Sequence, residues 1–200
     1  MTRWIFLLLI LSGWAILLDG CGTSPPIRYY QLSALPLSNN QVIAESGKHR
    51  TMIGIGPVDI PPYVDRLQLV TRAGPHVLDL SEFDRWAEPL ETDVKRVIVE
   101  NLSQLFAGER AAVVVWDGGI PLDYQVRIEV TRFDFLKSGE AVLNARWTVA
   151  GKNEGETLIL KTSGFTHPAP SDDYALMVGA MSRNLESLSQ EIRSALKPLL

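Results

Sequence analysis

The sequence predicts an α+β fold in which the elements follow one another as strands, helix, strands, helix. Apolar residues recur at helical spacing over residues 90–105, which predicts a first amphipathic helix. A longer stretch with the same spacing lies between residues 171 and 198 and predicts a second helix. Elsewhere, apolar and polar residues alternate over short runs, as in strands with one buried face. Together these observations predict a single domain over residues 28–200, built on a mixed or antiparallel sheet.

Each element has its own local signal. Pro89 suits the first turn of a helix and Gly108 marks its end, whereas Ser171 is the expected N-cap of the second helix. Along one strand the apolar phase shifts by one residue, which predicts a β-bulge near Arg132. The expected strands cover residues 28–34, 51–60, 67–71, 76–80, 111–116, 124–135, 143–149 and 157–163.

The amino terminus resembles an export signal. A short basic start is followed by an almost wholly apolar run over residues 4–18. Fifteen helical residues rise only about 22 Å, which is short of a hydrocarbon core of about 30 Å. A cleaved signal peptide over residues 1–20 is therefore favoured over a membrane-spanning helix.

The only cysteine of the chain, Cys21, follows this run. Leu18 to Cys21 resembles a bacterial lipobox, although the family usually has a small or apolar residue where Asp19 stands. This resemblance implies cleavage between Gly20 and Cys21, a diacylglycerol on the thiol and an acyl chain on the new amino terminus. A cysteine placed by chance after an ordinary signal is the alternative.

Several acyl chains would hold the mature protein stably on a membrane. Residue 22 is Gly. Lipoproteins retained in the inner membrane typically carry Asp at this place, so the pattern resembles that of export to the outer membrane, with the domain facing the periplasm. The polar segment 21–27 is a short tether, which predicts that the domain stays close to its membrane.

Composition and motifs exclude several classes of function. The net charge is −4 and no arginine-rich stripe occurs, so nucleic acid is not an expected partner. His49, His76 and His167 are far apart and predict no metal site. Gly54-Ile55-Gly56 lacks the third glycine of a dinucleotide motif, and no Gly-x-Ser-x-Gly motif occurs. We expect no catalytic residues, no metal and no cofactor besides the covalent lipid on Cys21.

Several stretches resemble the PqiC/YmbA-like family of ABC-transport auxiliary lipoproteins. They are the lipobox at Cys21, Tyr29-Tyr30-Gln31-Leu32, Ile55-Gly56-Pro57-Val58, Ile60-Pro61-Pro62-Tyr63-Val64-Asp65-Arg66, Arg85-Trp86-Ala87-Glu88-Pro89-Leu90 and the helix from Tyr174 to Ile192. The resemblance implies a non-enzymatic, periplasm-facing subunit of an envelope lipid-transport system. Its usual partners are an MCE-domain protein and an integral inner-membrane protein, and some relatives accompany an ABC permease and ATPase.

A candidate partner interface comprises Pro61, Pro62, Tyr63, Arg66 and Trp86. Exposed aromatics and prolines between elements are common in protein interfaces. Two alternatives stay open: the Pro-Pro-Tyr stretch can simply end a strand, and Trp86 can be a core residue. The protein is expected to act as a docking subunit anchored to the outer membrane. The alternative is a lipid-carrying module with its own cavity, and a homo-oligomer is left open.

Overall fold

The computed structural model describes residues 24–37, 50–152 and 156–200. These residues form an α+β domain, which confirms the predicted fold class. In chain order the elements are β1 (Arg28–Tyr30), β2 (Thr51–Asp59), β3 (Gln68–Gly74), β4 (Val77–Trp86), α1 (Leu90–Leu105), β5 (Ala111–Val115), β6 (Tyr124–Leu136), β7 (Glu140–Gly151), β8 (Thr157–Pro168) and α2 (Tyr174–Leu196), followed by a 3₁₀ turn (Lys197–Leu199).

The eight strands form one mixed sheet in which β6 has three neighbours. The main path is β1-β4-β3-β6-β2-β5, and β7 pairs with β6 and with β8. Along one edge, β6 pairs with β7 in antiparallel fashion over its full length. Its other edge is shared between two parallel strands, β2 at residues 124–129 and β3 at residues 135–136. The connection between β2 and β3 therefore passes beside the middle of β6.

The core lies between the sheet and the two helices. Both helices bury the stripes that their spacing predicts: α1 contributes Leu90, Val94, Val97, Ile98 and Leu102, and α2 contributes Met177, Met181, Leu185, Leu188 and Ile192. The largest fully buried side chains of the sheet include Trp147, Phe133 and Phe135. The register shifts between Val130 and Arg132, so the predicted bulge is confirmed and both phenylalanines face the core. No helix among the described residues is long and apolar enough to span a bilayer.

The first strand is shorter than predicted, because helix side chains bind the backbone that follows it. Strand β1 ends at Tyr30. The amide of Leu32 then donates to Asp93 of α1 at 2.8 Å, and that of Ser33 donates to Ser182 of α2 at 3.0 Å. The amide of Leu35 donates to Asn101 of α1 at 2.7 Å. These bonds satisfy the peptide groups that a ladder would otherwise pair, so an extended segment fastens the two helices together.

Two further boundaries differ from the sequence prediction. The N-cap of α2 is Asp173 rather than Ser171, and its carboxylate accepts from the amides of Ala175 and Leu176 at 2.8 and 3.1 Å. A carboxylate both satisfies these free amides and complements the helix dipole. Strand β4 continues to Trp86 instead of ending at residue 80, because β1 pairs with its last residues.

Candidate partner interface

Residues 61–66 form a turn between β2 and β3. They bridge the gap along the shared edge of β6, between the part paired with β2 and the part paired with β3. The amide of Val64 donates to the carbonyl oxygen of Pro61 at 3.1 Å, which closes the turn. Two consecutive prolines restrict the backbone further, because each pyrrolidine ring fixes its φ angle. The backbone hydrogen bond and the two prolines therefore order the turn.

The side chains of this turn divide into an inner and an outer set. Val64 is 2% exposed and belongs to the core, while Pro61 and Tyr63 are half-buried. Pro62, Asp65 and Arg66 are exposed. Within the described ranges, the side chains of Asp65 and Arg66 form no hydrogen bond or ion pair. The inner side chains thus attach the turn to the domain, while Pro62 and the charged side chains of Asp65 and Arg66 face solvent.

Beneath the turn lies the fully buried carboxylate of Asp134, on β6. Tyr63 donates its hydroxyl hydrogen to it at 3.1 Å. Arg72 donates from Nε and from a terminal nitrogen, both at 2.7 Å, and Arg132 donates from Nε at 2.8 Å. We call these four residues, Tyr63, Arg72, Arg132 and Asp134, the Asp134 cluster. The cluster joins the turn to β3 and β6 through charge-assisted bonds.

The electrostatics of the Asp134 cluster hold Tyr63 in place. Burial and the neighbouring Asp134 carboxylate raise the pKa of Tyr63, so its hydroxyl stays protonated and donates to that carboxylate. The hydrogen bond to Asp134 raises the pKa of Arg72. The guanidinium carbon of Arg72 also lies 5.5 Å from the centre of the Tyr63 ring, within cation–π range. Tyr63 is therefore mainly a support of the turn, and its outer edge is what a partner can touch.

Trp86 is not part of this outer surface. Its side chain is 3% exposed and packs in the core, which supports the core interpretation over the predicted interface role. The backbone of Trp86 does lie beside the turn, because its amide donates to the carbonyl oxygen of Leu67 at 2.8 Å. Alternation along β4 directs the side chain inward, so the nearby position of its backbone does not make the side chain accessible.

A second buried carboxylate, that of Asp84, ties β1 to β4. It accepts from Arg28 and from the hydroxyl of Tyr30, both at 2.9 Å, and from the hydroxyl of Ser81 at 2.7 Å. Burial alone would raise its pKa, but the bonds from Ser81, Tyr30 and Arg28 outweigh burial and hold the pKa of Asp84 below its usual value. The residues that immediately follow the tether are therefore fixed to the domain.

A small cleft lies beside Trp86, between the sheet and α2. Its cavity volume is only about 10 Å³, and it is lined by Leu69, Val70, Thr71, Trp86, Phe135, Tyr174, Met177 and Met181. Sites for drug-sized ligands enclose about 300–1,000 Å³. A phospholipid does not fit this cleft.

The remaining sequence candidates have structural explanations or lie elsewhere. Within the described part of the chain, no group of histidine, cysteine, aspartate or glutamate residues could hold a metal ion. Packing favours glycine at residue 54, since an added Cβ would lie 2.9 Å from Trp116 Cβ and 2.2 Å from Leu122 Cδ1. Gly20 and Cys21, the predicted cleavage and lipid-attachment residues, lie outside the described residues, and so does His49.

The sequence analysis missed Arg72, Arg132 and Asp134. The signal was present for the last two, because the predicted bulge puts both of them on the face of β6 opposite Phe133 and Phe135. Opposite charges two residues apart on one strand face are close enough to pair. Arg72 joins them only because β3 pairs with β6, and no local pattern reports that pairing.

Comparisons with known proteins give consistent results. Residues 30–193 match the family model described as ABC-type transport auxiliary lipoprotein component. The intermembrane transport lipoprotein PqiC of Escherichia coli (strain K12) is 25% identical over 198 residues, which cover 96% of this chain and 98% of that protein.

Two solved structures have the same fold. An uncharacterized protein aligns with a TM-score of 0.70 and 21% identity, covering 86% of this chain and 99% of its own. Protein XCC0632 from Xanthomonas campestris aligns with a TM-score of 0.65 and 19% identity, covering 82% of this chain and 92% of its own.

Proposed function

The chain belongs to the family of ABC-type transport auxiliary lipoprotein components, and we propose that it is the outer-membrane-anchored docking subunit of an intermembrane lipid-transport system. In this role it faces the periplasm and holds the conduit of a partner near its membrane. The proposed partners are an MCE-domain protein and an integral inner-membrane subunit. The name of the PqiC relative, an intermembrane transport lipoprotein, supports this choice of system.

The anchor of this proposal is a covalent lipid on Cys21. The lipobox over residues 18–21 supports the attachment, and Gly22 supports export to the outer membrane. A mature chain that begins at Cys21 carries its acyl groups seven residues before β1. The tether is too short to let the domain travel far from the bilayer, so docking takes place close to the membrane.

The observation that carries the docking role is the turn at residues 61–66. Its backbone is closed by the bond from Val64 to Pro61, and the Asp134 cluster supports it from beneath. A pre-ordered surface loses little conformational entropy when a partner binds. Arg66 is exposed and unpaired within the described residues, so it is free to form a charged hydrogen bond across an interface.

The role we propose is non-enzymatic, and it is that of a docking subunit rather than a lipid carrier. The buried charges at Asp134 and Asp84 are each satisfied by several donors, as expected for structural networks. The cleft beside Trp86 is too small for a phospholipid. These features favour a scaffold that positions other subunits.

The docking role is tested by reversing the charge of Arg66 in the full-length lipoprotein. The variant is Arg66→Glu, and the measurement is the amount of MCE-domain protein that co-purifies from detergent-solubilised envelopes. We expect at least a tenfold loss of affinity, which corresponds to about 1.4 kcal/mol. Because the Arg66 side chain has no partner among the described residues, the melting temperature of the variant should equal that of the wild type.

The matched control is Arg110→Glu. Arg110 is also an exposed arginine without a side-chain hydrogen bond in the described ranges, but it precedes β5, far along the chain from the turn. This variant has the same change in net charge and should co-purify as the wild type does. Equal co-purification of the folded Arg66→Glu variant and the wild type would show that the interface lies elsewhere. Equal losses in both variants would indicate a general charge effect.

A further inference from the structure

The direction of β1 shows from which end of the sheet the tether approaches. Strand β1 runs parallel to β4, with Arg28 opposite Asp84. The chain therefore enters β1 from the end at which β4 begins, which is the end of the β3–β4 turn. The β6–β7 turn lies at this end too, because the amide of Lys137 donates to the carbonyl oxygen of Arg72 at 3.0 Å. We call it the tether end of the sheet.

The register across the sheet gives the height of Arg28 above this end. Arg85 pairs with Gln68. Three residues later, Thr71 pairs with Phe135, which pairs with Ala141 at the start of β7. The β6–β7 turn thus lies about 10 Å beyond the level of Arg28. Gly74, which pairs with Val77 at the β3–β4 turn, is six residues beyond Gln68, so this turn lies about 17 Å from Arg28. The other end of β7, at Gly151, lies about 26 Å away in the opposite direction.

The reach of the tether is comparable with the shorter of these distances. Seven residues separate Cys21 from Arg28 and span at most about 23 Å when fully extended. Three residues, spanning at most about 10 Å, separate Cys21 from Ser24, the first described residue. An acyl group on Cys21 therefore brings the tether end, rather than the Gly151 end, to the membrane.

The surface chemistry at the tether end suits a lipid surface. Val77 at 54% and Leu80 at 46% are exposed on β4. Ile27 at 43% and Leu176 at 50% are exposed beside the start of β1, where the rings of Tyr30 and Tyr174 lie 6.2 Å apart. Pro75 and His76 are exposed at the tip of the β3–β4 turn, and Lys137, which forms an ion pair with Asp79, lies nearby. Apolar side chains with a nearby lysine are the usual composition of a surface that enters the headgroup region.

We propose that the tether end, comprising Ile27, the β3–β4 turn at residues 75–77, Leu80, Lys137 and Leu176, lies against the bilayer that holds the anchor. This inference rests on the lipid at Cys21 that the proposed function includes. Strand β7 then runs away from the membrane, and its last residue, Gly151, lies about 36 Å beyond its first residue, Glu140. The orientation leaves the Gly151 end free in the periplasm.

Introduced cysteines test this orientation, because Cys21 is the only cysteine and its thiol is consumed by the lipid. Val77→Cys places a fluorophore at the tether end, and Leu158→Cys is the matched control. Leu158 is also exposed, at 39%, and contacts Gly151 at the opposite end. The full lipidated chain is reconstituted in phosphatidylcholine vesicles that contain a headgroup-labelled nitroxide lipid, and the quenching of each fluorophore is compared.

We expect at least threefold more quenching at residue 77 than at residue 158. If Val77→Cys does not fold, His76→Cys replaces it, since His76 is exposed at the same turn. Equal quenching at both ends, or stronger quenching at residue 158, in protein that floats with the vesicles would overturn this orientation and leave the anchor intact. Failure of the wild type to float would overturn the anchor itself, and with it this inference.

Discussion

Removal of the Asp134 carboxylate should strongly destabilise the domain. In Asp134→Ala, the guanidinium groups of Arg72 and Arg132 lose their common partner, and the Tyr63 hydroxyl loses its acceptor. The Asp134 side chain is 0% exposed, whereas those of Arg72 and Arg132 are 20% and 30% exposed. The substitution thus leaves two cations that are mostly shielded from water without compensation.

The expected loss is about 3 kcal/mol of the free energy of unfolding. Removing one partner of a buried ion pair costs about 3–5 kcal/mol. The value should lie near the lower limit of that range, because both arginines are partly exposed and their guanidinium groups can be hydrated in the variant. For a domain of this size, about 3 kcal/mol lowers the melting temperature by roughly 6–12 °C.

Urea unfolding followed by circular dichroism measures this loss. The control is Glu129→Ala, which removes a carboxylate whose partner is Arg146, in a pair with side chains 53% and 54% exposed. An exposed pair contributes about 0–1 kcal/mol, so this variant should remain within about 0.5 kcal/mol of the wild type. A loss of less than about 1 kcal/mol in Asp134→Ala, with an unchanged denaturant slope, would refute the role of Asp134 as the support of the turn.

Further predictions concern the core, the acid stability and the anchor. Trp147→Ala should cost about 3–5 kcal/mol in denaturant melts, since Trp147 is 1% exposed. The exposed Arg127 donates to Gln125 at 2.9 Å, so Arg127→Ala should cost only about 0.5–1.5 kcal/mol, and the reverse ranking would mean that the strand phase is wrong. Asp84 has a folded-state pKa below its unfolded value of about 3.9, so its contribution to stability is present above about pH 4 and is lost as the pH falls through the folded-state pKa. Asp84→Asn should therefore show a weaker loss of stability below pH 4, and an unchanged acid profile would contradict this assignment. Cys21→Ser should accumulate as an unprocessed precursor that labelled palmitate does not label, and equal labelling of both proteins would exclude the lipobox.

Local sequence patterns were sufficient for most of the secondary structure. The stripes of both helices follow from their apolar spacing, because one face of each helix must be buried against the sheet. The bulge at Arg132 was predictable for a similar reason, since a one-residue slip in alternation transfers side chains to the other face unless a residue is added. The predicted N-cap of α2, Ser171, lies two residues before the observed one, Asp173. Both residue types are good N-caps, and only the backbone path selects between them.

The candidate interface was only partly predictable. The Pro-Pro-Tyr stretch correctly indicates a rigid connection after β2, since proline cannot continue a paired ladder. Trp86 was proposed for the interface because exposed aromatics between elements are common in interfaces, yet its side chain is buried in the core. Whether the exposed Arg66 binds a partner stays a prediction.

The element types, the buried faces and the expectation of a lipid on Cys21 follow from residues that are close together in the chain. Which distant groups meet depends on how the strands pair in the folded domain. Asp134 accepts from Tyr63, 71 residues away, and from Arg72, 62 residues away, because β6 shares one edge between β2 and β3. The parallel pairing of β1 with β4 likewise sets the end from which the tether approaches. Such pairings bring together residues far apart in the chain, and local propensity and periodicity carry no information about them.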